Sequence, residues 1–126
     1  MRTLLGRVRS LPDIHSPDSA KASYAERQAV NSVIQGTASD LIKYAMINVD
    51  RQLAARWPRD APAPRLLMQI HDELIYEVSS ADASYVESFQ TLLHGAMEED
   101  VVRALKLSVP LIANVHTGMS WGEVDG

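Results

Sequence analysis

Apolar residues recur every three or four positions through much of the first half of the chain, with polar residues between them. The series comprises Val30, Ile34, Ala38, Leu41, Ala45, Val49 and Leu53. This period is typical of a helix with one continuous apolar face. It predicts a helix over residues 23–57 that ends near Pro58. We expect a bend at Gly36, because a glycine inside a helix costs about 1 kcal/mol relative to alanine.

Two short apolar runs follow a proline-rich loop at residues 60–64. Three consecutive polar residues, His71, Asp72 and Glu73, separate the runs. Runs of this length, with alternation in the second, predict a hairpin over residues 65–78. Its tight turn would hold the carboxylate of Asp72 rigidly at the tip, where it could bind a divalent cation. The alternative is a surface turn that Asp72 simply caps.

The remaining segments complete an α+β pattern. Ser79–Asp82 supplies a cap for a second helix over residues 83–105, and residues 109–117 suit a final strand with Pro110 at its start. Residues 1–22 predict an irregular arm with a short strand near residues 8–11.

This order predicts a single partial domain over residues 1–126. A small antiparallel sheet, made of the central hairpin and the C-terminal strand, would pack against the two long helices.

Composition and charge narrow the class of protein. The chain has 126 residues, 46% of them hydrophobic, which is enough for one domain with a core. Its net charge of −4 argues against binding nucleic acid by bulk electrostatics. Residues 1–27, however, carry five basic and three acidic side chains, so phosphate contacts are expected there. The absence of cysteine excludes a disulfide or a thiolate metal site in this sequence. Without a signal-peptide core or a membrane span, the sequence predicts a soluble, intracellular protein.

Two groups of polar residues suit contacts with a nucleic acid. Arg27, Asn31 and Gln35 are spaced four apart, so each lies about 40° around the helix from the last. All three donate hydrogen bonds, and every correct base pair presents minor-groove acceptors at similar positions. Arg7 and Arg9, flanked by apolar residues, suit phosphate contacts. Taken alone, a polar stripe of this kind is more often a solvated face. For Arg7 and Arg9 the alternative is that they are ordinary surface arginines.

Four motifs in the right order resemble the family A DNA polymerases, the group related to bacterial DNA polymerase I. Thr3–Arg9 is similar to the family's T-x-x-G-R-x-R segment, and Ala25–Asp40 to its A-E-R-x-x-x-N-x-x-x-Q-G-x-A-x-D helix. Met68–Val78 resembles its carboxylate-bearing hairpin, and Ser120–Gly122 fits its carboxyl end. Within the family, the likeness is nearest to the eukaryotic polymerases theta and nu, which implies the nucleus or an organelle.

The resemblance implies template-directed nucleotidyl transfer on primer–template DNA with deoxynucleoside triphosphates and Mg²⁺. Two ions about 3.5–4 Å apart stabilise the attacking and leaving oxygens in such a reaction. Asp72 matches the family's metal-binding aspartate, Glu73 a more peripheral catalytic glutamate, and His71 a histidine near the primer terminus. The residues implied to contact primer–template DNA are Arg7, Arg9, Arg27, Asn31, Gln35 and His71.

The resemblance covers only the later part of the polymerase palm and its neighbouring DNA-contacting helix. The chain has no counterpart of the strand bearing the other metal-binding aspartate, or of the helix whose lysine and tyrosine hold the nucleotide. We therefore expect a fragment, an incomplete gene model or part of a longer or split enzyme, inactive without the missing segments in cis or trans. The alternatives are a non-catalytic duplex-DNA-binding module and, less favoured, an unrelated metal hydrolase using His71, Asp72 and Glu73.

Overall fold

The computed structural model describes residues 1–124, and the chain divides into two compact units. The units are Met1–Tyr44 and Ala45–Gly126. Helices and one antiparallel hairpin make up the structure, which confirms the α+β class. The elements in chain order are a 3-10 helix (Pro12–His15), α1 (Ser19–Arg56), β1 (Arg65–Ile70), β2 (Glu73–Glu77), α2 (Ala83–His94), a π-helical turn (Gly95–Glu99), α3 (Asp100–Leu105) and α4 (Trp121–Val124).

Helix α1 begins four residues before its predicted start, so the predicted arm over residues 1–22 was too long. The cause is Asp18, whose side-chain carboxylate accepts hydrogen bonds from the backbone N–H groups of Ala20 (2.9 Å) and Lys21 (3.4 Å). These donors have no partner inside the first helical turn, so an aspartate placed before them starts the helix there. The helix then continues without interruption through Gly36 to Arg56.

The apolar face of α1 is buried only in its second half. Val49 is fully buried and Leu53 nearly so, but Val30 and Ile34 are 64% and 67% exposed. The predicted apolar face is therefore present along the helix, but only part of it is covered. Apolar periodicity marks the side of a helix that can be covered, and burial additionally requires an opposing element in the structure.

The hairpin forms where it was predicted. β1 and β2 pair in antiparallel register, with Ile70 opposite Glu73 at the closed end. The register shifts between Leu66 and Met68, which leaves Leu67 as a bulge. At the other end of β2, burial and the charge of Asp50 raise the pKa of Tyr76 to about 12, so its phenol stays protonated at neutral pH.

The second unit holds the hydrophobic core. Val49 and Leu53 of α1 pack with Phe89 and Leu93 of α2 and with Ala96 of the π-helical turn. Partly buried residues surround this cluster, namely Trp57, Tyr76, Val78, Leu92, Met97 and Val115. The hairpin contributes through Tyr76, whose ring meets Phe89 edge-on at 5.1 Å between centroids. A helix, a hairpin and a second helical segment therefore share one core.

The helix predicted over residues 83–105 has the predicted ends, but it contains a π-helical turn that the sequence pattern did not indicate. Asp82 caps α2 by accepting from the backbone N–H of Ser84 at 2.8 Å. In the π-helical turn, Ala96 O accepts from the side-chain amide of Asn48 at 3.0 Å. Asp100, the first residue of α3, accepts from Gln52 at 2.6 Å. Side chains of α1 thus hold this turn by polar contacts.

The C-terminal strand predicted over residues 109–117 does not form. Among residues 1–124 the only sheet is the two-stranded β1–β2 hairpin, and residues 109–117 have no regular secondary structure. Ala113 donates its N–H to the carboxylate of Glu98 at 2.7 Å instead of to another strand. Exposed and partly buried residues still alternate along this segment, since Ile112 is 82% exposed and both of its neighbours are partly buried. A period of two gives a segment one coverable face, but a strand also needs a hydrogen-bonding neighbour.

The short strand predicted near residues 8–11 is reduced to one isolated backbone pair, Val8 with Arg2. After this pair the chain enters the 3-10 helix at Pro12. None of the helices in the described part of the chain is both long and apolar enough to cross a membrane.

Candidate functional site

The hairpin turn consists of His71 and Asp72, the two residues between β1 and β2. His71 has φ of 52°, in the left-handed region that favours glycine. Two-residue hairpin loops require a positive φ at their first central position, which explains the conformation. The side-chain amide of Gln69 donates to His71 O at 3.0 Å and so supports the turn. Backbone strain of this kind concentrates at functional sites, where the surroundings hold it in place.

Two carboxylates stand at this turn. Asp72 occupies the second turn position and Glu73 the first position of β2, and both residues are exposed. Neither side-chain carboxylate has a hydrogen-bond or ion-pair partner within residues 1–124, so both carboxylates remain able to bind an external cation. No group of three His, Asp or Glu side chains in the described part of the chain is arranged to hold a metal ion.

The chemistry of these donors suits one part of a Mg²⁺ site. Mg²⁺ is commonly bound by one or two carboxylates together with water and substrate phosphates. Asp72 fits as one such ligand, and Glu73 lies beside it in sequence.

The polar edge of α1 lies in the first unit, and all three of its residues, Arg27, Asn31 and Gln35, are exposed. The guanidinium of Arg27 lies 5.9 Å from the centre of the Tyr24 ring, which restrains it by a cation–π contact. Three exposed hydrogen-bond donors thus follow one another along the helix with no covering element in their unit.

The two arginines of the arm differ in their surroundings. Arg9 is exposed, and its side chain has no partner among residues 1–124. Arg7 instead donates from Nε to Asp40 Oδ1 at 3.0 Å and from Nη2 to Gly36 O at 3.0 Å. Sequence reasoning missed Asp40, although it closes the helix motif, because its partner lies 33 residues away.

The structure therefore groups the predicted residues by unit. His71, Asp72 and Glu73 lie together at one turn of the second unit, where Gln69 joins them as a support that the sequence pattern did not reveal. Arg7, Arg9 and the polar edge of α1 belong to the first unit. There, Arg7 bonds to the residue that directly follows Gln35.

Comparison with known proteins identifies the family. The family model for DNA polymerase family A matches residues 1–123. DNA polymerase I of Streptococcus pneumoniae is 40% identical over 123 residues, covering 98% of this chain and 13% of that protein. DNA polymerase I of Mycobacterium leprae is 40% identical over 120 residues (95% of this chain, 12% of that protein). That of Treponema pallidum is 39% identical over 121 residues (96% and 11%).

These matches confirm the predicted resemblance at the level of the family. The chain spans only about an eighth of the length of these bacterial relatives, 11–13% in each case. The finer likeness to the eukaryotic polymerases theta and nu stays a prediction.

Proposed function

This chain belongs to DNA polymerase family A, and from that premise we propose that it forms the carboxyl-terminal part of a DNA-directed DNA polymerase. In this role it contributes the later palm and the DNA-contacting helix. The observation that carries the proposal is the hairpin turn: a strained His71, supported by Gln69, and two unpaired carboxylates stand where the family motif has its metal site. The reaction is template-directed nucleotidyl transfer to a primer 3′ hydroxyl.

Asp72 is the Mg²⁺ ligand in this proposal. A Mg²⁺ ion held by Asp72 would lower the pKa of an attacking hydroxyl and neutralise charge on the transferred phosphate. Asp72 holds its carboxylate at the end of a two-stranded hairpin, where backbone pairing limits its movement. Glu73 adds negative charge beside it, and His71 presents an imidazole that can hydrogen-bond near the primer terminus.

The first unit supplies contacts with the duplex. Arg27, Asn31 and Gln35 donate to minor-groove acceptors that all correct base pairs share, so they sense pairing geometry without reading sequence. Arg9 and the half-exposed Arg7 contact backbone phosphates, which position the duplex.

Synthesis requires protein segments beyond the residues described, in cis or in trans. The chain corresponds to a small share of each relative, and its described residues hold one candidate Mg²⁺ ligand with a neighbouring carboxylate. The second metal-binding aspartate and the nucleotide-binding helix belong to those segments. A nuclear or organellar location stays a prediction that depends on the likeness to polymerases theta and nu.

The test is Asp72→Ala in the complete polymerase that carries this chain. We expect primer extension to be abolished while affinity for primer–template DNA is largely retained, because the substitution removes a metal ligand and leaves the duplex contacts. Asp60→Ala, an exposed aspartate in the loop after α1, is the matched control and should extend primers normally. Near-normal extension by Asp72→Ala would refute the proposed metal site.

A non-catalytic duplex-DNA-binding module is the second candidate, favoured by one observation. The three donors of α1 and Arg9 are all exposed within the first unit, independently of any metal ligand. This candidate predicts salt-sensitive binding of duplex DNA by the chain alone, measured by fluorescence anisotropy. The triple substitution of Arg27, Asn31 and Gln35 by alanine should abolish it. Absence of binding at low salt would eliminate this candidate.

A further inference from the structure

The amino-terminal arm contains a closed turn that its own hydrogen bonds stabilise. Thr3 N donates to Arg7 O at 3.0 Å, and Gly6 N donates to Thr3 O at 2.9 Å. Arg7 N donates to the hydroxyl of Thr3 at 3.1 Å. Gly6 has φ of +84°, a conformation that side-chain-bearing residues rarely adopt. The turn therefore explains both the glycine and the threonine of the first motif.

This turn docks onto one segment of α1, and we call the resulting contact the arm clasp (Thr3–Arg7 against Gly36–Asp40). Leu4 N donates to the Thr37 hydroxyl at 3.2 Å, while the Arg7 guanidinium bonds to Gly36 O and Asp40 Oδ1. A Cβ on Gly36 would lie 2.7 Å from Thr3 Cγ2. The close approach of the arm thus explains Gly36, where the sequence predicted a bend.

Asp40 is the buried member of the clasp. Its side chain is 7% exposed, whereas that of Arg7 is 49% exposed. Removing one partner of such a pair leaves the other polar group buried without its hydrogen bond, which is costly. Asp40 Oδ2 is buried and already lacks a hydrogen-bond partner among the described residues. Arg7 is therefore the group that satisfies Asp40, through a planar guanidinium that lysine cannot reproduce.

We propose that Asp40 is a positioning residue for duplex DNA, acting through Arg7. The clasp fixes the arm at Arg7, two residues before the exposed Arg9, and it fixes α1 at Gly36, one residue after Gln35. It thereby sets the spacing between a phosphate contact and a minor-groove contact within one unit. This inference rests on the proposed DNA-binding role, and it adds Asp40 as a residue that contacts no DNA itself.

The test compares Asp40→Asn with Asp50→Asn in the 126-residue chain. The two substitutions change net charge equally and lie on the same helix, but Asp50 is exposed. Amide hydrogen exchange reports the clasp through Leu4 N–H, and fluorescence anisotropy at low salt reports duplex affinity. We expect Asp40→Asn to lose protection at Leu4 and to weaken duplex binding about tenfold, equivalent to about 1.4 kcal/mol. Asp50→Asn should change neither.

Arg7→Lys provides a second variant, because it keeps the positive charge and removes the guanidinium that bonds to both Asp40 and Gly36. It should reproduce both effects, with exchange at Tyr76 in the second unit unchanged as a check that the fold persists. Loss of Leu4 protection with normal duplex affinity would overturn the positioning role. Unchanged Leu4 protection in both Asp40→Asn and Arg7→Lys would overturn the clasp itself, because the two variants remove the carboxylate charge and the guanidinium in turn. Failure of the wild-type chain to bind duplex would instead refute the DNA-binding role of the first unit, and the inference with it.

In the complete polymerase the same role predicts a higher KM for primer–template and an unchanged kcat for Asp40→Asn. A fall in kcat with unchanged KM would contradict it.

Discussion

At the scale of single residues, the hairpin turn requires a positive φ at His71, a conformation that residues with a Cβ rarely adopt. His71 adopts the left-handed region, which costs a residue with a Cβ about 1–2 kcal/mol. His71→Gly should therefore make the chain about 1 kcal/mol more stable than His71→Ala, which lacks the imidazole but keeps the strain. Urea unfolding of the two variants measures the difference. Equal stability would show that the turn carries no strain.

The same pair of variants separates strain from function. Both lack the imidazole, so in the complete polymerase both should lose the proposed contact near the primer terminus, whatever their stability. A His71→Gly variant that retains normal primer affinity and extension would contradict the role assigned to His71.

Single residues also show how far local sequence predicts a site. The tip of the hairpin was predicted because two short apolar runs on either side of three polar residues are typical of two strands joined by a tight turn. The pairing of Arg7 with Asp40 was not, since no local pattern indicates which of sixteen acidic residues a distant arginine will meet. Arg7 was consequently interpreted only as a phosphate contact.

At the scale of secondary structure, Asp100 joins α1 to the π-helical turn. It accepts from Asn48 at 3.1 Å and from Gln52 at 2.6 Å. Asp100→Ala leaves both amides without their charged acceptor and should cost about 2 kcal/mol of unfolding free energy. Glu99→Ala is the matched control, because Glu99 is exposed and should shift stability by less than about 0.5 kcal/mol. Equal losses in the two variants would contradict this account of the turn.

The segment at residues 109–117 depends on Glu98. The hydrogen bond from Ala113 N–H, and then that from His94, lower the pKa of Glu98 below its ordinary 4.5. A carboxyl group with a lowered pKa stabilises the folded state above its unfolded pKa, and this stabilisation disappears as pH falls through the lowered value. The Ala113 amide signal should therefore titrate with a midpoint below 4.5.

Glu98→Gln should abolish that titration, whereas Glu99→Gln should leave it in place. A midpoint at or above 4.5 would contradict the contact.

The same segment explains why the final strand was mispredicted. Alternation along residues 109–117 is visible in the sequence, but the neighbour that would convert it into a strand is not present among the described residues.

At the scale of the whole molecule, the distribution of charge along the chain matters more for duplex binding than the net charge. The net charge is −4, yet residues 1–27 carry five basic and three acidic side chains, and the proposed duplex contacts begin in this stretch. Each phosphate contact made by a basic residue releases counterions, so it steepens the dependence of affinity on salt. Contacts with base edges add affinity without that dependence.

Substitutions at the two kinds of contact should therefore differ in their effect on the salt dependence of duplex binding. Arg9→Ala should weaken duplex binding equally for all sequences and reduce the slope of log K against log salt by about 1, as expected for one lost phosphate contact. Asn31→Ala should weaken binding with no change in slope, because its amide is uncharged. Anisotropy titrations between about 50 and 200 mM salt separate the two effects. If Arg9→Ala left the slope unchanged, the amino-terminal excess of positive charge would not contact the duplex through this residue, and the phosphate contacts would have to lie elsewhere.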